Sequence, residues 1–326
     1  MSGIQVENRK NLMLFSGRAY PELTDEIGQH LGVAPTPTSA YDFANGEIFV
    51  RYQESVRGSD AFVVQSMTQP INEWVMETLI MVDALKRGSA KRITVVLPFY
   101  PYARQDKKHR GREPISARLV ADLFKTAGAN RILTVDLHTS QIQGFFDGPV
   151  DHLFALPLLA SHISKAYAGR DLAVVAPDSG RVRVAERWTD ELGGCPLAFI
   201  HKTRDPLVPN QVVANRVVGE VEGRVCIVVD DMIDTGGTIT KAADALFDAG
   251  AAEVVVAATH GVLSDPATER LKNSRITEIV LTNTLPIPAE KQLDKLTVLS
   301  IAPLIGRAIR EVFSDGSVTS MFGGTA

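Results

Sequence analysis

Short, almost unbroken apolar runs alternate along the chain with stretches in which apolar residues recur every three or four positions. The runs at 11–15, 61–65, 93–97, 132–135, 173–175, 225–229, 253–258 and 278–282 are rich in Val, Ile, Leu and Ala. Continuity of this kind predicts strands buried on both faces of a parallel sheet, because a sheet with one wet face would alternate polar and apolar positions. The longer spacing predicts helices over 71–87, 116–127, 182–192, 240–249 and 267–272. Strands and helices in turn argue for α/β layering, mainly parallel sheets flanked by helices. A midpoint boundary is expected at 153–157.

The pattern repeats. Residues 119–138, LVADLFKTAGANRILTVDLH, align with residues 241–260, KAADALFDAGAAEVVVAATH, with identities at Ala121/Ala243, Asp122/Asp244, Ala127/Ala249, Gly128/Gly250, Ala129/Ala251 and His138/His260. Upstream, Arg92 before ITVVL resembles Arg224 before VCIVV. Any two strand–helix–strand units share helix-ending glycines and valine-rich strands, but here the likeness extends through strand, loop, helix, Ala-Gly-Ala turn, strand and histidine. A duplication is expected, with residues 98–114 as the sister of the loop that follows Val229.

That second loop carries the clearest chemistry. It reads Asp230-Asp231-Met232-Ile233-Asp234-Thr235-Gly236-Gly237-Thr238, between a buried strand and a helix. In parallel α/β sheets ligands sit beyond the carboxyl ends of the strands. Two glycines let the backbone approach an anion, and successive N–H groups at a helix N-terminus make a nest for phosphate. Thr235 and Thr238 add hydroxyls. Asp230 and Asp231 would repel phosphate, so they suit the hydroxyls of a sugar or a cation beside it. Plain helix capping would need fewer acids. Residues 98–114, PFYPYARQDKKHRGREP, hold five Lys or Arg between Arg104 and Arg112. A solvated loop, a nucleic-acid contact and a nucleotide polyphosphate site all fit this composition; the phosphate-type loop in the presumed sister copy favours ATP. Neither GxxxxGK[ST] nor GxGxxG after a strand occurs, so ATP would not sit in a P-loop. His138 and Asp178 each end an apolar run and are candidate metal ligands, carboxylate suiting Mg²⁺ better than imidazole does. Lys202 and Arg204 alternate in FIHKTR, which reads as an exposed basic edge or as a lid bringing charge to a transition state.

Composition changes this picture little. The chain has 326 residues, enough for two ordinary domains, with 45% hydrophobic and 22% charged residues. A net charge of −4 argues against a nucleic-acid-coating protein. Two cysteines, Cys195 and Cys226, give neither a zinc pattern nor a disulfide framework. No signal peptide is visible and no apolar run reaches the ~20 residues of a membrane helix, so a cytoplasmic protein with no membrane and no nucleic-acid partner is expected.

VVDDMIDTGGT resembles the phosphoribosyl-pyrophosphate loop of type I phosphoribosyltransferases. With FANGEIFVRYQESVRG, LPFYPYARQDKK, DLHTSQIQGFFD, PDSGRVR and FIHKTRD in the same chain, the whole resembles the ribose-phosphate diphosphokinases, or phosphoribosyl-pyrophosphate synthetases. The resemblance implies two tandem phosphoribosyltransferase-like domains, expected at 1–154 and 155–314, with the tail 315–326 packing near the first. It implies transfer of the diphosphoryl group of ATP to the C1 hydroxyl of ribose 5-phosphate, with Mg²⁺ as cofactor. Asn45, Gly46, Glu47, Arg104 and Gln105 would hold ATP. Arg204, Asp230, Asp234, Thr235, Gly236, Gly237 and Thr238 would hold ribose 5-phosphate. His138 and Asp178 would serve the metal, and Lys202 and Arg204 the catalytic loop. The ATP element often reads Asp-Gly-Glu in the family, and Asn45 departs from it. A homo-oligomer, a hexamer, is also implied. A phosphoribosyltransferase that consumes the activated ribose, or a non-catalytic regulatory relative, would have no need of all six elements.

Overall fold

The apolar runs become strands, and the way they pair divides the chain into two units, Met1–Leu153 with Ala302–Ala326, and Phe154–Ile301. The structure is a computed structural model in which residues 10–204 and 212–323 are described, residues 202–204 and 212–215 by their backbone alone.

In the first unit β1 (Leu12–Ser16), α1 (Pro21–Leu31), β2 (Thr38–Asp42), β3 (Ile48–Tyr52), β4 (Asp60–Val64), α2 (Ile71–Arg87), β5 (Arg92–Leu97), α3 (Ser116–Ala127), β6 (Arg131–Val135) and β7 (Val150–Leu153) follow one another. β1, β4, β5, β6 and β7 pair in that order, all parallel, while β2 and β3 form a separate antiparallel hairpin. In the second unit α4 (Leu156–Ala166), β8 (Leu172–Ala176), α5 (Val182–Glu191), β9 (Leu197–Arg204), β10 (Val212–Val218), β11 (Val225–Ile233), α6 (Gly237–Asp248), β12 (Glu253–Gly261), α7 (Ala267–Lys272), β13 (Glu278–Thr282) and β14 (Leu296–Leu299) lead to α8 (Ala302–Phe313). Here the sheet order is β10-β9-β8-β11-β12-β13-β14, parallel except for β10. The mainly parallel α/β architecture read from the sequence is the one observed. The central strands are buried along their length, as in β4 and β11, because helices cover both faces. In the second unit Val175, Val228, Val254 and Val256 meet Ile239, Ala242 and Leu246 of α6 in one apolar cluster.

All eight expected strands and five expected helices are present, and some boundaries move. β11 runs on through both aspartates to Ile233, and α6 begins at Gly237 rather than at 240. The elements not foreseen are short or half-exposed: the hairpin β2–β3, the edge strands β7 and β14, the pair β9–β10, and helices α1, α4 and α8. α1 carries its own signals, Pro21 in the first turn and Gly32 at φ 73° after the last.

In strand order β1-β4-β5-β6-β7 corresponds to β8-β11-β12-β13-β14, with α1 matching α5 in sequence order, hairpin β2–β3 matching β9–β10, and α2, α3 matching α6, α7. The duplication expected from the sequence is therefore visible in the topology, but in a different register. β11 corresponds to β4, not to β5. The sister of the Asp230 loop is residues 65–70, and the sister of residues 98–114 is the short link 262–266. In this register Asp83-Ala84-Leu85 faces Asp244-Ala245-Leu246. The sequence alignment slipped by one strand–helix unit because successive helices in such a layer bury the same kind of stripe and end in the same kind of turn.

The matching also extends to the helix after each last strand. α4 follows β7 of the first unit and packs on α5, β12 and β13 of the second. α8 follows β14 of the second and packs on α1 of the first, although the sequence reading placed 302–313 with the second domain. Its apolar face, Ile305, Ala308 and Ile309, is buried. Gly306 allows the approach, since a Cβ there would come within 3.2 Å of His30, and Arg310 Nη2 donates to the His30 carbonyl at 3.0 Å. Beyond α8, Asp315 accepts from Lys10 and, at 2.8 Å, from Arg92 Nη1.

Candidate active site

At the carboxyl end of β11 the last strand residues are themselves chemical groups. Asp230 lies in ladder register with Ala258 of β12, and Asp231 is 9% exposed. The Asp231 N–H donates to Asp230 Oδ1 at 2.9 Å. Arg181 joins both: its Nε lies 3.1 Å from Asp230 Oδ1 and its Nη2 2.5 Å from Asp231 Oδ1. Burial, followed by the neighbouring Asp231 carboxylate, holds the Asp230 carboxyl well above the usual carboxylate range, and Arg181 pulls the other way. One guanidinium thus bridges two adjacent acids, and carboxylates so placed are chemically suited to accept hydroxyl hydrogens.

After Ile233 the chain turns through Gly236 at φ 74°, a left-handed conformation that glycine adopts without strain. The N-cap residue of α6 is Gly236, which has no side chain with which to cap it, and the N–H groups of a helix's first turn are donors suited to an anion. Thr235 and Thr238 are exposed, and neither hydroxyl is bonded among the described residues. The turn is fastened from behind, where Thr240 Oγ1 donates to the Gly236 carbonyl at 3.1 Å and Arg270 Nη1 to the Thr235 carbonyl at 3.0 Å. Asp178 leads the turn after β8, where its Oδ1 accepts the Gly180 N–H at 2.9 Å and a tight 3₁₀ turn, Ser179–Arg181, aims Arg181 at the acid pair. Arg181 was not singled out from the sequence. Its signal lay in PDSGRVR, and it acquires meaning once β8 is known to lie beside β11.

In the first unit the ATP-type elements occupy two places. Asn45, Gly46 and Glu47 form the exposed tip of hairpin β2–β3. Gly46 has φ 87°, its N–H donates to Phe43 O at 2.8 Å, and Asn45 Oδ1 accepts the Glu47 N–H at 3.2 Å. An aspartate would offer the same oxygen, so Asn45 keeps the turn while removing a charge. Gln105 fastens the start of α3, its Oε1 accepting from Ser116 Oγ at 2.6 Å and its carbonyl from the Ala117 N–H at 3.2 Å; the neighbouring Arg104 is exposed. Asp106, buried to 4% exposure, accepts from Thr139 Oγ1 at 2.7 Å and Gln141 Nε2 at 2.6 Å. It ties the Arg104-Gln105 segment to the stretch that begins with His138.

Residues 65–70, the sister of the Asp230 loop, have a different content. Gln65 Nε2 donates at 2.9 Å to Glu77 of α2, a carboxylate with no exposed surface. Glu77 also receives the Arg18 N–H at 2.8 Å and the Arg18 Nε. The Gln65 carboxamide stands so close to Gly17 that a Cβ there would overlap it. Polar side chains of this chain therefore fill the space beyond β1 and β4.

His138 follows β6 of the first unit and Asp178 follows β8 of the second. Among the described residues no group of three or more His, Cys, Asp or Glu is gathered to hold a metal. The side chains of Lys202 and Arg204 lie outside the described residues. Cys226 is buried, and burial pushes its thiol up to about 12.

Two tandem parallel-sheet units, one of them bearing an acid pair, a glycine turn and an uncapped helix, define a protein of the phosphoribosyltransferase-like class. The N-terminal domain of ribose phosphate pyrophosphokinase matches residues 12–128 and the phosphoribosyl synthetase-associated domain matches residues 174–323. Ribose-phosphate pyrophosphokinase of Streptomyces coelicolor is 68% identical over 99% of both chains, and that of Mycobacterium tuberculosis 65% identical over 100% of both. The crystal structure of phosphoribosylpyrophosphate synthetase from Mycobacterium smegmatis superimposes with a TM-score of 0.90 at 66% identity, covering 94% of this chain and 100% of that one. The chain belongs to the ribose-phosphate pyrophosphokinase family.

Proposed function

We infer that this chain transfers the diphosphoryl group of ATP to the C1 hydroxyl of ribose 5-phosphate, giving 5-phosphoribosyl 1-pyrophosphate and AMP. The observation that carries this reading within the structure is the Arg181-bridged pair Asp230–Asp231 leading into an uncapped helix. It offers acceptors for sugar hydroxyls one turn away from donors for a phosphate. Full-length identity to the pyrophosphokinases supports it.

In this reading the 5-phosphate sits on the N–H groups and hydroxyls of Asp234, Thr235, Gly236, Gly237 and Thr238, and Asp230 takes the ribose hydroxyls, with Arg181 holding the carboxylates in place. Asn45, Gly46, Glu47, Arg104 and Gln105 take ATP. The C1 oxygen attacks the β-phosphorus, the bond from that phosphorus to the AMP oxygen breaks, and the hydroxyl proton passes to solvent. Lys202 and Arg204 stabilise charge on the transferring group and leaving phosphate, the kind of contribution phosphoryl transfer asks of a protein. A sparse donor set is what Mg²⁺ uses when substrate phosphates and water complete its shell. By the family resemblance Asp178 and His138 would serve that ion, which would neutralise phosphate charge. A homo-oligomer, a hexamer, working in the cytoplasm completes the proposal; no helix among the described residues is long and apolar enough to cross a membrane.

Incubation with ATP, Mg²⁺ and ribose 5-phosphate should release AMP, and its absence would overturn the reading. Lys202→Ala should lower kcat by orders of magnitude with little change in apparent ATP affinity, since contacts made only in the transition state act on turnover. Near-normal turnover would remove Lys202 from the catalytic group.

A further inference from the structure

We propose that Arg18 and Asp42 position the hairpin tip Asn45-Gly46-Glu47 for ATP, with Arg18 anchored on the buried Glu77. The proposal rests on the assignment of that tip to ATP given above.

The hairpin needs such an anchor. β2 and β3 form a two-stranded sheet of their own, not joined to the parallel sheet, and isolated hairpins are marginal in water. Its base is held where Tyr52 Oη donates to the Met81 carbonyl at 2.8 Å and the Tyr52 ring lies 4.6 Å from that of Phe15. Its far end is different. Tyr41, Phe43 and Phe49 cluster on one another, while Tyr41 and Phe43 stay nearly half exposed. Among the described residues the one side-chain hydrogen bond between residues 41–50 and the rest of the unit is Arg18 Nη2 to Asp42 Oδ1, at 2.7 Å. Asp42 is the last residue of β2, three positions before Asn45.

Arg18 is itself held rigidly. Its Nε and backbone N–H both go to Glu77, and its guanidinium lies 5.8 Å from the Trp74 ring. Glu77 is fixed in turn by Gln65. A planar guanidinium with one edge committed to a buried carboxylate presents its other edge in a defined direction, which a lysine would not do. Groups of this kind hold a binding loop to within the tolerance its contacts need. The network stands beyond β1 and β4, where the other unit carries Arg181 and its acid pair. The same corner of the fold that faces a ligand in one unit supports a distant binding element in the other.

The test uses the full-length enzyme with steady-state kinetics in both substrates and thermal unfolding. Asp42 is exposed, so Asp42→Ala should fold normally. It should raise the apparent KM for ATP about five- to tenfold, leaving the KM for ribose 5-phosphate and Tm unchanged, and Asp42→Asn, which keeps the accepting oxygen, should restore most of the loss. Glu47→Ala serves as the control for the assignment of the tip. If Glu47→Ala raises the KM for ATP and Asp42→Ala keeps it within twofold, the positioning role is wrong and the ATP tip stands. If neither variant changes it, both ideas fall. A lowered Tm with equal losses toward both substrates would make the contact structural only and would also overturn the proposal.

Discussion

Beyond β4 and beyond β11 the chain stands at matching points of the topology and meets opposite chemistry. In the second unit Arg181 bridges the carboxylates of Asp230 and Asp231, and the glycine turn leads into a helix with Gly236 at its N-cap. In the first unit Gln65, Glu77 and Arg18 satisfy one another and are packed too tightly for even a methyl group at Gly17. The difference teaches what keeps a duplicated corner functional. In the proposed reading the loop after β11 keeps hydrogen-bonding capacity for its ligand, whereas the corner beyond β4 uses its own internally. Burial and Asp231 hold the Asp230 carboxyl above the usual carboxylate range, against the pull of Arg181.

Removing Arg181 attacks the comparison most strongly. Arg181→Met removes the guanidinium that bridges two adjacent carboxylates, and kcat/KM for ribose 5-phosphate should fall a hundredfold to a thousandfold, roughly 3–4 kcal/mol. A loss under tenfold would show that the acid pair does not depend on it. Next comes the closed corner. Glu77→Ala strands the inner edge of Arg18 and the Gln65 amide, and unfolding in urea should show a loss of about 3–5 kcal/mol, with the affinity for ribose 5-phosphate of the folded protein unaltered. An altered sugar affinity would mean that this corner is not purely internal. The smallest effect belongs to Asp230→Asn. A carboxyl whose folded pKa is raised binds more protons folded than unfolded, so its cost to stability grows as pH rises from its unfolded pKa, about 4, towards the folded one and persists above it. The amide removes that cost. Its free-protein Tm at neutral pH should rise by a few degrees, of the order of 1 kcal/mol, while affinity for ribose 5-phosphate drops. A lower Tm would contradict the raised carboxyl.

Much of this was legible in the chain. Strands buried on both faces write themselves as unbroken apolar runs, so β4, β5, β6, β11, β12 and β13 were readable, and DDMIDTGGT is too rich in acids and glycines for an ordinary turn. Three things were hidden for physical reasons. Arg181 depends on the adjacency of β8 and β11, which no local pattern encodes. The strands of hairpin β2–β3, TSAYD and IFVRY, are half-exposed and carry polar residues, and so lack the buried signature. The register of the duplication was misread because Ala-Gly turns and amphipathic helices recur in every strand–helix unit; sheet order separates them where residue identity does not. By sheet order the basic loop 98–114 is not the counterpart of the loop after β11. Asp106 fastens it to the segment after β6.

The central claim is that one corner of the duplicated fold binds the sugar phosphate and its sister does not. Titration calorimetry of ribose 5-phosphate into the full-length protein tests it directly. One site per chain is predicted, abolished or severely weakened by Arg181→Met and unchanged by Asp42→Asn. Two sites per chain, or one that survives Arg181→Met at full affinity, would contradict it.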